Sequence, residues 1–365
     1  MTAPNELTGL AFSPERALGW RDIGLDGLSC YLRCVEAVLM WRGFGSLQTA
    51  QTLAGPLDLL HPGLDGSPFG AFPHLTVEWR YAEPGGDLWE EVRASLRDGE
   101  PVILCPDGYG WPGDEFLGTR HAYHHMVLPV EERDGALWVL DTDAPKSDGF
   151  RRRVPVTESV TRAFDRVGLI KHGAPLPVRQ ADAVARELLP ESVRTLRQDI
   201  ADLAGFLERW KGGSIPAMTA HGLHVVVLGD FQPQLFLLKS ALGTATPEGD
   251  GLDDLRASLD SAARRAKKLG LLLTGLHRFG SDDLYALCHA EFGSFVDGLR
   301  AVLAAAESWQ GTAAPGPAPE VSGRLARRLG VVTEWCFGEP AEESEAWALA
   351  PEQAGRRSAD EEDRA

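Results

Sequence analysis

The fold of this chain is decided by residues 29–45, which read SCYLRCVEAVLMWRGFG. Ser29 is a good helix N-cap, because its hydroxyl can accept a hydrogen bond from the free amides of the first helical turn. Gly43 or Gly45 can adopt the left-handed conformation on which helices commonly end. The stretch therefore predicts a helix that begins at Cys30 and ends just before Gly43.

Apolar side chains cover most of the circumference of this predicted helix. Only Arg33, Glu36 and Met40 are left as a narrow, mostly polar stripe. A helix that is apolar on nearly all sides is buried on nearly all sides. We therefore expect this helix to lie in the interior of its domain.

Cys30 would occupy the first turn of that buried helix. The free backbone N–H groups and the positive end of the helix dipole favour the thiolate form of a cysteine at this place. Cys30 is therefore a candidate nucleophile, although Cys30 and Cys34 can equally be read as small hydrophobic side chains of a core. A base and an acid elsewhere in the chain are needed to favour the first interpretation.

The composition indicates a globular protein with one large core or two modest ones. Of its 365 residues, 44% are hydrophobic and 8% are aromatic. Five cysteines without a CxxC pair favour a reducing compartment and disfavour structural zinc. A net charge of −17 disfavours unaided binding to nucleic acid. Residues 1–27 contain no apolar run long enough for a signal peptide or a membrane span, which predicts a cytoplasmic protein without a membrane partner.

The sequence pattern divides the chain into three predicted segments of an α+β protein. Residues 1–175 mix short helical and strand patterns and form the expected catalytic domain. Residues 180–310 repeat apolar side chains at helical spacing and predict a mainly helical subdomain. Residues 311–365 are predicted to be a linker rich in Pro and Ala, followed by an acidic, disordered tail.

A hairpin predicted in the first segment carries the base and the acid that a cysteine nucleophile requires. Its two β-rich runs flank an Asp134-Gly135 turn signal. The first run contains His124 and His125, and the second ends at Asp141. A histidine next to a carboxylate can take the proton of a thiol while the carboxylate orients the ring.

The length of the hairpin loop decides which histidine lies beside Asp141, because directly opposed residues point to the same face and side chains alternate. A two-residue loop of Asp134-Gly135 brings Asp141 to the side of His124. A three-residue loop that includes Arg133 brings it to the side of His125. We favour the three-residue loop, since its glycine would occupy the left-handed position.

The order Cys, His, Asp, with the cysteine at the start of a buried helix, resembles the papain-like superfamily and its C39-like peptidase branch. Three stretches are more specifically similar to the butirosin-biosynthesis acyltransferase family, and the resemblance covers about Ile23 to Phe150. They are the Cys30 helix running into Arg42-Gly43-Phe44-Gly45, the run Pro101–Leu104 followed by Asp107–Pro112, and His124-His125 leading to Leu140-Asp141.

This resemblance implies a papain-like core and acyl transfer through a covalent acyl-cysteine. The thiol of that family accepts an acyl or aminoacyl group from the phosphopantetheine thioester of an acyl carrier protein and passes it to an amine. Cys30 would be the nucleophile, His125 the base and Asp141 the orienting acid. The expected partners are an acyl carrier protein or another acyl thioester donor and a small-molecule amine, with no cofactor and no metal.

Four further residues are predicted to contact substrate. Asp107 and Tyr109 would lie along the cleft by the resemblance, and Trp111 belongs to the same irregular aromatic segment, of a kind that often lines clefts. His124 would make a supporting or substrate contact. The basic clusters 151–153 and 264–268 are candidate docking surfaces for an acidic carrier protein.

Other functions remain compatible with the same residues. Transfer to a carbon nucleophile or intramolecular cyclisation in specialised metabolism would use the same three side chains. A C39-like peptidase or amidase would use water as the acceptor, but Gly24 stands where papain-like enzymes usually carry the glutamine that binds the oxyanion. A third possibility is a catalytically inactive protein that binds a ligand in the cleft.

Overall fold

The computed structural model describes an α+β protein, about 58% helical, with small antiparallel sheets. Contacts divide the chain into a first unit, up to residue 53 and from 72 to 178, and a second unit, 54–71 and from 179 onward. The division at 178 falls between the first two predicted segments, 1–175 and 180–310, whereas the assignment of 54–71 to the helical unit was not predicted. The described residues are 27–63, 72–83, 88–142, 144, 150–172, 176–210, 215–244, 251–311 and 321–337.

The first unit contains helices and two three-stranded antiparallel sheets. One sheet has the strand order β1-β6-β2 and the other β3-β4-β5, and a single bridge between Leu104 and Val127 joins them. The elements are α1 (Cys30–Trp41), α2 (Ser46–Leu53), β1 (Leu75–Tyr81), α3 (Trp89–Asp98), β2 (Val102–Leu104), β3 (Leu128–Arg133), β4 (Ala136–Leu140), β5 (Arg151–Pro155), α4 (Glu158–Thr161) and β6 (Arg166–His172).

Helix α1 has the predicted limits. The Ser29 hydroxyl accepts a hydrogen bond from the amide of Leu32 at 3.4 Å, and Gly43 follows the helix with a φ of +90°. Glu36, in the predicted polar stripe, is completely buried. Arg33, 2.8 Å from the Glu36 carboxylate, supplies the charge partner that a buried carboxylate needs.

The hairpin of β3 and β4 has a different loop from the one predicted. Arg133 pairs with Ala136, so the loop is the two-residue Asp134-Gly135, and both of its residues have positive φ as in a type I′ turn. A bulge between Pro129 and Glu131 then shifts the register by one residue. Proline has no N–H to donate to the ladder, and bulges are among the few places in a sheet where it is tolerated.

Strand β6 was not predicted, although it lies between β1 and β2. Its sequence contains Gly168, which weakens the strand pattern. A Cβ at this position would come 2.9 Å from the side chain of Val77 on β1, so the glycine permits the close approach of the two strands. The reason for the glycine is therefore a contact far away in sequence.

The described residues of the second unit from 181 onward are mainly helical. The stretch 224–228 is helical. The prediction of a linker and tail from 311 onward was wrong for Arg324–Phe337, which is a helix with buried Leu325, Leu329 and Val332. Residues 312–320 and 338–365 lie outside the described residues. The elements are α5 (Ala181–Trp210), α6 (Ala217–Val226), a π-helical turn (Val227–Phe231), α7 (Gln232–Ala241), α8 (Asp253–Phe279), α9 (Asp282–Gln310) and α10 (Arg324–Phe337).

The longest helices of this unit are amphipathic. Helices α5, α8 and α9 have 30, 27 and 29 residues, which exceeds the roughly 20 needed to cross a bilayer. Each of them carries several charged side chains on its exposed face. Among the described helices, none combines the length and the apolar character that a membrane span requires.

Residues 54–63 are held in the helical unit by polar side chains of α5. The amide of Leu57 donates to the Ser192 hydroxyl at 2.9 Å, and the amide of Leu59 donates to Asp199 at 2.8 Å. The hydroxyl of Thr195 donates to the carbonyl of Leu57. These bonds satisfy the backbone of a segment that has no regular secondary structure.

Asp199 is expected to make the stability of the helical unit depend on pH. Burial raises the pKa of Asp199 to about 7, although Arg324 and the amides of Leu59 and Leu60 oppose the rise. The folded protein therefore keeps a proton that the unfolded chain loses near pH 3.8, and stability should fall as pH rises from about 4 to 7. We expect Asp199→Asn to reduce that slope in thermal unfolding measured across this range.

The matched control for this experiment is Asp297→Asn, since Asp297 lies on the exposed surface of α9. Its unfolding temperature should follow the wild-type pH dependence. A slope that Asp199→Asn leaves unchanged would contradict the assignment of the titrating group.

Candidate active site

Cys30 lies in the first turn of α1 and is partly exposed, whereas the other four cysteines are buried. The first turn of a helix carries free backbone N–H groups and the positive end of the helix dipole, which favour an anionic group there. Cys30 is therefore the one cysteine of the chain that a reagent or substrate can reach directly.

His125 connects Cys30 with Asp141. Its Nε2 lies 2.8 Å from Oδ1 of Asp141, and Cys30 is near enough to the ring to raise the pKa of His125. Because Nε2 is engaged by the carboxylate, Nδ1 is the nitrogen left for the thiol. His125 is 8% exposed and Asp141 is fully buried. The three side chains predicted from the sequence as a catalytic group thus lie close together, with His125 between Cys30 and Asp141.

The surroundings of His125 favour its imidazolium form. Burial alone lowers the pKa of His125, but the hydrogen bonds to Asp141 and Cys30 and the charges of both groups outweigh it, and the pKa lies well above the ordinary 6.5. A protonated ring beside a sulfur stabilises the thiolate. The arrangement can therefore hold a thiolate and an imidazolium as a pair.

Cys34, one turn further along α1, has the opposite character. Burial raises the pKa of Cys34 well above its ordinary value, and the negative charges of Cys30 and Asp141 raise it further. A thiol that stays protonated is a poor nucleophile. This excludes Cys34 as the reactive cysteine.

The bulge in β3 explains why His125, and not His124, meets Asp141. With a two-residue loop and no bulge, Asp141 would face Leu128 and share a side with His124. With the bulge, Leu128 pairs with Leu140. Asp141, the residue after β4, therefore faces Val127 and lies on the same side as His125. The predicted pairing of His125 with Asp141 is confirmed, although the predicted loop was wrong.

His124 has a separate environment. Its Nε2 lies 3.7 Å from the carboxylate of Asp114, and its ring packs edge-on against Phe116 with centroids 5.2 Å apart. The contact of His124 with substrate stays a prediction.

Asp107 organises the loop that follows β2. Its Oδ1 accepts hydrogen bonds from the amides of Tyr109 and Ala122 at 3.0 and 3.1 Å, and its Oδ2 lies 2.5 Å from Nδ1 of His121. Both carboxylate oxygens are thus engaged within the loop, so Asp107 fixes the loop conformation, and its contact with substrate stays a prediction. Tyr109 is 45% exposed and stacks on His121, so its ring remains accessible to a ligand.

The prediction that Trp111 contacts substrate was wrong. Trp111 is 1% exposed and packs edge-on against Phe164, with ring centroids 5.6 Å apart, in the hydrophobic core of the first unit. The aromatic segment therefore divides its side chains between core and surface, which composition alone does not indicate.

Arg152 is a residue of this site that the sequence analysis missed. Its Nη1 donates to Oδ2 of Asp141 at 3.0 Å, and its Nη2 donates to the carbonyl of Pro112. The run 151–153 was interpreted as a docking surface, but β5 alternates and only Arg153 is fully exposed. Strand alternation is the signal that could have separated Arg152 from its neighbours.

Replacing Asp141 by asparagine is expected to lower the pKa of His125 toward its ordinary 6.5. The amide can still accept the hydrogen bond of the ring, but it no longer supplies the negative charge that stabilises the imidazolium. The titration of His125 can be followed by NMR in the two proteins. Asp134→Asn, on the exposed hairpin loop, is the matched control and should leave the titration unchanged. An unchanged titration in Asp141→Asn would contradict the geometry of the pair.

Comparison with known proteins adds no family assignment. No family model matches the sequence, and no curated protein matches it at a significant level. The function is therefore inferred from the site residues themselves.

Proposed function

We propose that this chain is a cysteine-dependent acyltransferase with a papain-like core in its first unit. The observation that carries the proposal is that Cys30, at the start of a buried helix, lies close to His125, whose ring is 2.8 Å from Asp141. Nucleophile, base and orienting acid in contact are the requirement for covalent acyl transfer. The antiparallel strands that carry His125 and Asp141 beside a cysteine helix support a papain-like arrangement.

The proposed reaction has two steps. The Cys30 thiolate attacks the carbonyl carbon of an acyl thioester, the bond from that carbon to the donor sulfur breaks, and the departing thiolate takes the proton of the His125 imidazolium. An amine then attacks the acyl-Cys30, neutral His125 accepts the amine proton, and the amide leaves as Cys30 thiolate is released. The backbone N–H of Cys30 can donate to the carbonyl oxygen as negative charge develops on it.

The donor is proposed to be a thioester on an acyl carrier protein, and the acceptor a small amine or a carbon nucleophile in specialised metabolism. Arg153, which is exposed on β5, remains a candidate contact for an acidic carrier after Arg152 is assigned to the site. Transfer, cyclisation and hydrolysis share the acyl-cysteine and differ only in what attacks it.

Mass spectrometry of the intact protein tests the first step. Incubation with a short-chain acyl thioester of N-acetylcysteamine should add one acyl mass at Cys30, and addition of amines should remove it as amide. If water alone removes the acyl group from Cys30 as fast as amines do, the peptidase or amidase alternative is favoured. Absence of any adduct with small and carrier-bound thioesters would favour a binding protein without catalysis.

Selective labelling of Cys30 by iodoacetamide is not sufficient evidence of activation, because Cys30 is more exposed than the four buried cysteines. The informative quantity is the rate at neutral pH in wild type and in His125→Gln. We expect the variant to react at least about tenfold more slowly, since the imidazolium no longer stabilises the thiolate. His121→Gln, an exposed histidine with its own carboxylate partner, is the matched control. Equal rates in wild type and His125→Gln would overturn the proposal.

A further inference from the structure

Arg152 closes the hydrogen-bonded series of the candidate site at its far end. Asp141 receives His125 on Oδ1 at 2.8 Å and Arg152 on Oδ2 at 3.0 Å, so both oxygens of a fully buried carboxylate are engaged. The guanidinium is itself held by the carbonyl of Pro112 through Nη2. Arg152 is thus fixed at two points, and Asp141 is fixed between two cations when His125 is protonated.

Strand register explains why this arginine alone reaches the site. Arg152 on β5 pairs with Val139 on β4, and directly opposed residues share a face. Asp141 lies two residues beyond Val139 and so on the same side, whereas Arg151 and Arg153 pair with residues of the opposite side. The placement of Arg152 is therefore built into the sheet.

The loop after β2 is shaped to receive this guanidinium. Gly113 has a φ of +80°, and a Cβ at this position would overlap Nη2 of Arg152. A side chain at 113 would therefore displace the arginine from Pro112. Two separate segments, the loop and β5, meet at Arg152.

We propose that Arg152 is a positioning residue of the Cys30 site, which holds Asp141 ionised and turned toward His125. The inference rests on the proposed thiol chemistry. Arg152 does not contact the sulfur and acts through Asp141, and its Nη1 and Nη2 donors occupy Asp141 Oδ2 and the Pro112 carbonyl.

The charge balance of the site gives Arg152 a measurable effect. The ionisable groups that meet here are Cys30 and Cys34 on α1, His125 before β3, Asp141 after β4 and Arg152 on β5. With Cys34 protonated, thiolate, imidazolium, carboxylate and guanidinium sum to zero. Without Arg152 the same state carries one net negative charge in a largely buried site, which disfavours the thiolate. The acidic limb of the alkylation profile should therefore move to higher pH.

The experiment measures the rate of Cys30 alkylation by iodoacetamide against pH in the full chain. We expect Arg152→Gln to raise the pH of half-maximal rate by about one unit, as one charge lost in a partly buried site should do. Arg152→Lys keeps the charge but not the two-pronged geometry, so its profile should stay near the wild-type pH with a lower plateau. Arg133→Gln, at an exposed arginine of β3, is the matched control and should match wild type in both.

The outcomes separate this inference from the proposed function. A profile of Arg152→Gln that superimposes on wild type, or an equal shift in Arg133→Gln, would overturn the role of Arg152 while Cys30 chemistry stands. Equal rates of Cys30 alkylation in wild type and His125→Gln would overturn both the proposed function and the role of Arg152. If Arg152→Gln does not fold, Arg152→Lys decides: a wild-type plateau in that variant overturns the positioning role.

Discussion

Cys30→Ser is expected to abolish the covalent acyl-enzyme and to lower the rate of transfer by about 10⁴-fold or more, because a serine hydroxyl is not ionised by a histidine that already favours its protonated form. The measurement is the mass of the intact protein after incubation with an acyl thioester, together with the rate of amide formation. Cys288→Ala, which removes a buried thiol from α9, should keep both.

His125→Gln should act on the same step through the base. We expect its rate of transfer to fall by about 10²- to 10⁴-fold, the usual contribution of a positioned general base. An acyl adduct that persists in Cys30→Ser, or that forms at another residue, would place the nucleophile elsewhere. Full activity of His125→Gln would remove the base from the mechanism.

Asp230→Ala is expected to destabilise the helical unit by about 3–5 kcal/mol, because it leaves a buried cation without its partner. Asp230, in the π-helical turn, receives two N–H groups of Arg328 at 2.9 and 2.6 Å on Oδ2 and lies 3.3 Å from Nε2 of His61 on Oδ1. Arg328 is only 2% exposed. Thermal and urea unfolding of the full chain would measure the loss.

The pKa of Asp230 supports this expectation. Burial alone raises the pKa of this carboxyl, but Arg328 and His61 outweigh burial and lower it below the ordinary 3.8. A lowered pKa means that the pair stabilises the fold above about pH 4 and that this contribution is lost as pH falls through the lowered value. Neutral pH is therefore the condition for the comparison.

Two further variants make the result specific to burial. Asp230→Leu combined with Arg328→Met removes both charges and should recover most of the loss, since no unpaired ion is left. Asp297→Ala breaks an exposed pair with Arg300 and should change stability by less than about 1 kcal/mol. A cost of Asp230→Ala no greater than that of Asp297→Ala would contradict the assignment.

Elements with local signals were predicted well. Helix α1 begins and ends as its cap, apolar pattern and glycine indicate, and β1 (Leu75–Tyr81) alternates apolar or aromatic with polar side chains. The helix Arg324–Phe337 was missed, because the acidic and Pro-rich sequence on either side of it concealed a short amphipathic pattern. Composition averages over a window, whereas burial depends on one face of one helix.

The hairpin shows how a site prediction can be right for an incomplete reason. The loop length inferred from Gly135 was wrong, yet His125 lies beside Asp141 because the bulge after Pro129 compensates by one residue. Neither the loop nor the bulge alone determines the pairing. Their combination depends on contacts between strands.

What the sequence by itself determined is the start of α1 with Cys30 in its first turn, since an N-cap and an apolar helix pattern are properties of adjacent residues. It also indicated that a histidine and an acid would follow on β-rich segments. Only the tertiary structure decided that Arg152 faces Asp141 and that Trp111 is buried against Phe164. Those placements depend on the pairing of β4 with β5 and on core packing, both of which bring together residues that are distant in sequence.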